Sequence, residues 1–374
     1  MKIAIDLRSL QSGTISGVEN YAFNLLDELL AMDKHNSYVL FSNSFKNAKL
    51  PGFDYINATS VKTSFPSKLL NLLFKFNFKG LESLVGEFDC LFMPNLNLIN
   101  LNENAKVALT VHDLSFAKMP ELYDLKRNFW HRYLNVPKLL NRANIIFAVS
   151  NYTKNDLIRI YGLPDEKIKV IYPGVDSEIF RQQFRIDDLR QVRNIYGLPG
   201  KFFLYLNTLE PRKNLVGAIE AFELLKTHTH LVIAGKLGWK TRQILRKINR
   251  SKKKSRIHYL GYIPEGRKPA LIKMSLTLLY PSFYEGFGFQ ALEAMALGTP
   301  VIASQISSLP EIVRDAALLV NPQNIRDLTE AMGQMENNQI LRQMLIAKGS
   351  NRVKNYSWKL AASQILAYLQ AICV

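Results

Sequence analysis

Short apolar runs alternate with helix-patterned stretches along the whole chain, and this alternation constrains the fold more than any other feature. Residues 2–7, 38–42, 89–93, 107–111, 145–149 and 169–172 read as strands in the first half. In the second half, 202–207, 230–234, 256–260, 276–280, 301–303 and 317–320 do the same. Most are continuous in Val, Ile, Leu, Phe and Tyr rather than alternating, which predicts parallel strands covered on both faces. Helical patterns fill the intervals, among them 17–32, 151–161, 215–226, 289–297 and 325–336. Strand–helix order sustained over 374 residues predicts an α/β fold of two doubly wound, Rossmann-like domains facing a cleft. The stretch 173–199, punctuated by Pro-Gly at one end and Gly-Leu-Pro at the other, marks the boundary as a linker running into a short helix.

Charge and composition narrow the partners. The net charge of +17 is concentrated in residues 171–374, which hold 28 basic and 15 acidic side chains. Such a balance favours polyanions: phosphorylated substrates, an anionic membrane surface or nucleic acid. No nucleic-acid recognition motif is visible, so nucleic acid is not expected as a partner. No apolar run approaches the roughly 18–20 residues of a bilayer span. The opening MKIAIDLRSL, broken by Asp6, reads as a buried strand rather than a signal peptide. Cys90 and Cys373 stand far apart in apolar surroundings, as incidental thiols of a reduced cytoplasmic protein.

Ligands of open α/β sheets bind beyond the carboxyl ends of the strands, so residues just after strands carry the chemistry. Residues 281–300 read PSFYEGFGFQALEAMALGTP. Gly286 and Gly288 let the backbone turn sharply, and a helix then begins near Phe289 with N–H groups able to hold a phosphate. Glu293, one or two turns along it, can accept from a ribose diol, while Glu285 on the loop can reach a sugar or the diphosphate. Gly298 and Pro300 end the helix. Two merely solvated glutamates would leave the flanking glycines without a purpose. After 202–207 comes TLEPRKN, where Arg212 can grip a phosphate bidentately and Lys213 adds a point charge. The plain alternative is a solvated loop with Glu210 pairing locally. In the first half, TVHDLSF puts His112 just after a strand, and GTISGVENY sets Gly13 and Gly17 before the first helix without the full G-x-G-x-x-G spacing. There is no P-loop, H-E-x-x-H, paired C-x-x-C or D-x-D, so neither a metal nor another cofactor is expected.

With these residues in place, the chain resembles glycosyltransferase family 4, retaining enzymes of the two-domain GT-B fold. The similar segments run nearly end to end: SGVENYAFNLL, LTVHDLSF, IFAVSNYTKNDLI, VIYPGVD, LNTLEPRKN, HLVIAGKLGW, IHYLGYIPEGRKPALIKMS and PSFYEGFGFQALEAMALGTPVIAS. The resemblance implies that Arg212 and Lys213 bind and stabilise the leaving diphosphate, Glu285 contacts the donor sugar and Glu293 the ribose. It places the amides of Phe289 and Gln290, with Gly288 before them, against the phosphate, and Tyr262 and Ile263 near the base. His112 is expected near the transferred sugar, and Gly17 where the first helix approaches the phosphate. Asn207, where relatives carry a small or basic residue, is a departure. So is YPGVD, where many relatives have Asn before the glycine. Front-face attack assisted by the leaving phosphate is the implied chemistry. The TLEPRKN and AGKLGW variants look closest to bacterial surface-polysaccharide mannosyltransferases, implying GDP-mannose as donor and a lipid-linked or surface glycan as acceptor; a UDP-sugar donor and a nucleotide-sugar epimerase are the alternatives. The expected domains are 1–180 on the acceptor side and 195–355 on the donor side, with a last helix, 356–374, crossing back to the first.

Two basic stretches remain. Residues 55–81 contain no acid but include Lys62, Lys68, Lys75 and Lys79, with Lys, Leu and Phe interleaved in KLLNLLFKFNFKGL. Such a segment can lie in an anionic membrane interface, placing the protein peripherally on the inner face of the plasma membrane, or it is a core-facing helix with a basic outer side. Residues 236–256 hold ten basic side chains and no acid; their Lys-rich end is expected to be a solvated loop.

Overall fold

The computed structural model describes residues 1–12, 17–44, 52–175 and 184–373. Gly13 and the linker residues 176–183 lie outside them. The chain divides into two compact units: Met1–Leu114, Lys126–Gly174 and Tyr356–Val374 form unit 1, and Ser115–Leu125 with Val175–Asn355 form unit 2.

Unit 1 is built on a seven-stranded sheet ordered β3-β2-β1-β4-β5-β6-β7, parallel throughout. Its strands are β1 (Lys2–Asp6), β2 (Ser37–Asn43), β3 (Ala58–Thr63), β4 (Cys90–Met93), β5 (Lys106–Val111), β6 (Ile145–Ala148) and β7 (Ile168–Val170). β4 and β6 are buried along their whole length, as continuous apolar runs require. β3 was not foreseen. Its sequence, ATSVKT, is largely exposed, so an edge strand stabilised by backbone pairing to β2 carries no apolar signal. Helix α1 (Gly17–Met32) buries Leu25, Leu26, Leu29 and Leu30, spaced to form one face. The C-terminal helix Trp358–Cys373 packs on α1, with the Tyr21 and Trp358 rings edge to face at 5.7 Å.

Unit 2 repeats the plan with six parallel strands in the order β10-β9-β8-β11-β12-β13. They are β8 (Phe202–Leu206), β9 (His230–Ala234), β10 (Ile257–Tyr259), β11 (Thr277–Tyr280), β12 (Val301–Ser304) and β13 (Leu318–Val320). The strand order reverses between β8 and β11, so crossovers leave these neighbours in opposite directions and open a crevice at their carboxyl ends.

Within 236–256 the Lys-rich end is a turn with Lys252 and Lys254 exposed, and a helix precedes it. Thr241–Arg250 is a helix that buries Ile244 and Ile248. Lys247 pairs with Glu223 at 2.9 Å, and Lys253 donates to the Phe222 and Leu225 carbonyls at the end of the helix Leu215–Leu224. Lys253 thus neutralises a helix C-terminus, where orphan carbonyls favour cations. Among the described residues no helix is long and apolar enough to cross a membrane.

Candidate active site

The loops after β8 and β11 meet through ion pairs that water barely reaches. After β8 the chain runs to Glu210, makes one 3-10 turn over Pro211–Lys213, and enters the left-handed region at Asn214 (φ 56°). Asn214 caps the helix Leu215–Leu224 by accepting from the Gly217 N–H, while its amide donates to Pro281 O (3.1 Å) and Pro322 O (2.8 Å). One side chain thus ties together the loops after β8, β11 and β13.

Lys213 Nζ donates to both oxygens of Glu285, at 2.6 and 2.8 Å. Arg212 lies 3.6 Å from the same carboxylate, donates to Glu210 Oε1 at 3.0 Å through Nε, and gives a third bond to the Tyr284 carbonyl at 2.8 Å. Arg212, Lys213, Glu210 and Glu285 are each at most 9% exposed, so the loop after β8 is not solvated, although Glu210 does pair locally, with Arg212. Burial raises the Glu210 carboxyl above its usual range against the pull of Arg212 and Lys213. The four charges balance, leaving two fixed cations whose counter-charges are held by protein rather than by solvent.

The Glu285 loop is pinned from the next strand. Its N–H donates to Ser307 Oγ (3.1 Å), and Ser308 Oγ donates to the Glu285 and Phe287 carbonyls (2.9 and 2.8 Å). Gly288 then adopts φ +130°, a backbone conformation that strains any residue with a side chain and favours glycine. The helix Phe289–Ala296 follows, with the amides of Phe289 and Gln290 at its N-terminal end. Tyr280 OH donates to Gln290 Oε1 at 2.9 Å. Burial and the neighbouring Glu285 push this phenol well above its usual range, Arg212 opposes them, and Glu293 acts in the same sense as Glu285. Glu293 itself is half-buried.

Around this centre, Gly235 after β9 is required for close approach, since a Cβ would lie 1.8 Å from the Asn207 carbonyl oxygen. Its N–H donates to Gly261 O at 2.7 Å, joining the loops after β9 and β10, where Tyr262 is exposed and Ile263 buried. Asn207 is buried, and among the described residues neither polar atom of its carboxamide has a hydrogen-bond partner. That orphan pair stands at the carboxyl end of β8, where the departure from relatives was noted.

His112 and Gly17 belong to unit 1. Gly17 opens α1. His112 follows β5, and its Nε2 lies 2.8 Å from Pro94 O; a carbonyl only accepts, so Nε2 carries the proton. The imidazole meets Tyr21 edge to face at 4.6 Å. His112 is half-buried, and desolvation lowers its pKa below 6.5, opposed by Pro94 O, Asp113 and Glu19. The folded state therefore refuses a proton that the unfolded chain accepts. Stability from this group is full above about pH 6.5 and falls as pH drops toward the depressed folded value. Urea unfolding across this range should show His112→Asn losing part of the acid-side fall in midpoint. His131, His230 and His258 are shifted the same way and keep the remainder. An unchanged slope in the variant would exclude His112 as a buried neutral imidazole.

The sequence reading missed Glu210 as a buried partner, Asn214 as the tie between loops, and Tyr280, Tyr284, Ser307 and Ser308. The signal for Glu210 was present in its two-residue spacing from Arg212. Nothing local in residues 304–308 announces that their hydroxyls support Glu285.

Residues 15–179 match the family described as Glycosyltransferase Family 4, and residues 188–352 match Glycosyl transferases group 1. The chain is 31% identical to the O-antigen chain mannosyltransferase B of Escherichia coli over 278 residues, covering 73% of this chain and 72% of that one. It is 26% identical to the serotype-specific mannosyltransferase WbdA of Escherichia coli over 259 residues, 68% of this chain but 32% of that longer protein. In structure it resembles a sucrose-phosphate synthase from Thermosynechococcus elongatus, with a TM-score of 0.78 at 20% identity, covering 99% of this chain and 98% of that one.

Proposed function

The chain belongs to glycosyltransferase family 4, with two parallel-sheet α/β units of the GT-B kind, and on that premise we propose that it moves mannose from GDP-mannose to a hydroxyl of a lipid-linked or surface-polysaccharide acceptor, retaining anomeric configuration without a metal ion. Transferase activity follows from family membership; the sugar is supported by the relatives' names, which are those of mannosyltransferases. The observation that carries the donor site is the buried contact of Lys213 with both Glu285 oxygens at the point where the strand order reverses.

In this reading, charge that develops on the departing diphosphate is met by Arg212, Lys213 and the helix-end amides of Phe289 and Gln290. Groups already aimed and desolvated need no reorganisation when that charge appears. Gly288 leaves room for the phosphate, and Gly17 does the same before α1. Glu293 accepts from the ribose, Tyr262 and Ile263 flank the base, and Glu285 orients the sugar while holding Lys213. Neutral His112 serves the transferred sugar as a hydrogen-bonding group. No carboxylate acts as nucleophile; the leaving phosphate takes the acceptor's proton. Unit 1 is assigned the acceptor and works peripherally at an anionic membrane on its cytoplasmic side, a reading supported by exposed Phe76 and Phe78 beside Lys75 and Lys79.

A thermal-shift series with GDP, UDP and ADP tests the donor, because a nucleotide at a hundred times its Kd stabilises by about 2.7 kcal/mol. GDP is expected to raise the melting temperature most, and labelled GDP-mannose to be transferred to glycan. A larger shift with UDP would replace the base, and an epimerised nucleotide sugar with no transfer would replace the reaction.

A further inference from the structure

In unit 1, helix α2 (Ser67–Lys75) and the helix Leu125–Leu134 border an open groove of about 750 Å³. α2 is held to the unit by Leu70 and Phe74, each 1% exposed, so its other apolar residues are not needed for that anchoring. Leu69 and Leu72 instead stand 43% and 44% exposed and form one wall. Phe129, 69% exposed, and Trp130 contribute to the other. Soluble surfaces seldom leave so much contiguous apolar area uncovered unless something binds there. Lys75 Nζ lies 3.6 Å from the centre of the Tyr133 ring, joining the two helices.

The polar members of the lining have one sign. Lys68, Lys126 and Arg127 border the groove, Asn71 is neutral, and among the described residues no carboxylate lines it. A purely apolar partner would gain nothing from these cations, and a cationic one would be repelled. A ligand combining a hydrocarbon chain with a phosphate satisfies both halves of the surface.

We propose that this groove seats one acyl chain of an anionic bilayer phospholipid, with Lys68, Lys126 and Arg127 holding its phosphate. The inference rests on the reading that unit 1 works at an anionic membrane, and sharpens it from surface attraction to a seat for a single chain. The helix Leu125–Leu134, unremarked in the sequence, supplies half of that seat.

The test uses the full chain with vesicles of phosphatidylcholine, with or without phosphatidylglycerol, whose acyl chains carry bromine as a contact quencher. Vesicles containing phosphatidylglycerol should co-sediment the protein and quench part of its tryptophan emission. Trp130→Phe should bind equally yet lose most of that quenching, because the chain's other two tryptophans, Trp239 and Trp358, lie outside the groove. Phe129→Asp should weaken vesicle binding by at least about tenfold, while its melting shift with nucleotide reports that the fold is intact. Binding without quenching from Trp130 would overturn the seat and leave the membrane reading standing. Absence of vesicle binding would overturn both. Equal quenching by phosphatidylcholine alone would overturn the role given to the cations, as would wild-type binding by a correctly folded Lys68→Glu/Lys126→Glu variant.

Discussion

Glu285→Gln lowers turnover by about 10²–10³-fold while changing the apparent donor affinity only slightly, as expected when a group acts chiefly in the transition state. The substitution keeps shape and removes charge. In the native site both Glu285 oxygens accept from Lys213 Nζ, at 2.6 and 2.8 Å. An amide can accept through only one atom, and its NH₂ would confront an ammonium that has donors alone. Lys213 then loses the fixed aim on which stabilisation of the leaving phosphate depends. The Glu285 loop itself should hold, because Ser307 and Ser308 bond its backbone rather than its side chain. Initial rates against donor concentration separate the two effects. Turnover equal to wild type would remove Glu285 from the mechanism.

Lys213→Met is the second large effect, and it strikes stability as well as rate. It leaves the Glu285 carboxylate, 6% exposed, with Arg212 at 3.6 Å as its nearest cation. Breaking one side of a buried pair costs about 3–5 kcal/mol, because the surviving charge stays desolvated. Removing both charges together, in Lys213→Met/Glu285→Gln, should return a large part of that loss without restoring activity. Urea unfolding gives the coupling through a double-mutant cycle, and the turnover assay shows whether rate follows stability. If the double variant is no more stable than Lys213→Met alone, buried charge pairing does not hold this loop. If it regains activity, Lys213 is structural and its catalytic assignment fails.

How much of this was legible follows from what each residue's environment writes into the sequence. β4, β8 and β11 are buried along their lengths, and such strands must be continuous apolar runs. β3 at the sheet edge is stabilised by backbone bonds to β2, which any residue can make, so ATSVKT looks like a loop. The role of Lys253 was not legible for a related reason: it donates to the Phe222 carbonyl, 31 residues earlier, and charge counting along the chain does not register distant backbone. Within the candidate site, Arg212, Lys213, Glu285 and Glu293 stood out because charged residues beside glycine-broken strand ends have few structural uses. Asn214 and Ser308 did not, since short polar side chains at loop ends are common and their bonds run to backbone far away.

By itself the sequence determined that parallel sheets would form, in two sets, and that charged loops would follow two of the strands. Both properties are local: apolar continuity answers to burial, and glycine spacing to backbone turns. Only the tertiary structure decided that Lys213 and Glu285, 72 residues apart, would share one buried ion pair. That contact exists because β8 lies between β9 and β11, which sets the loops after β8 and β11 side by side, and because the chain reverses its winding there. Strand order is settled by how helices pack across both faces of the whole sheet, a balance no short window of residues contains.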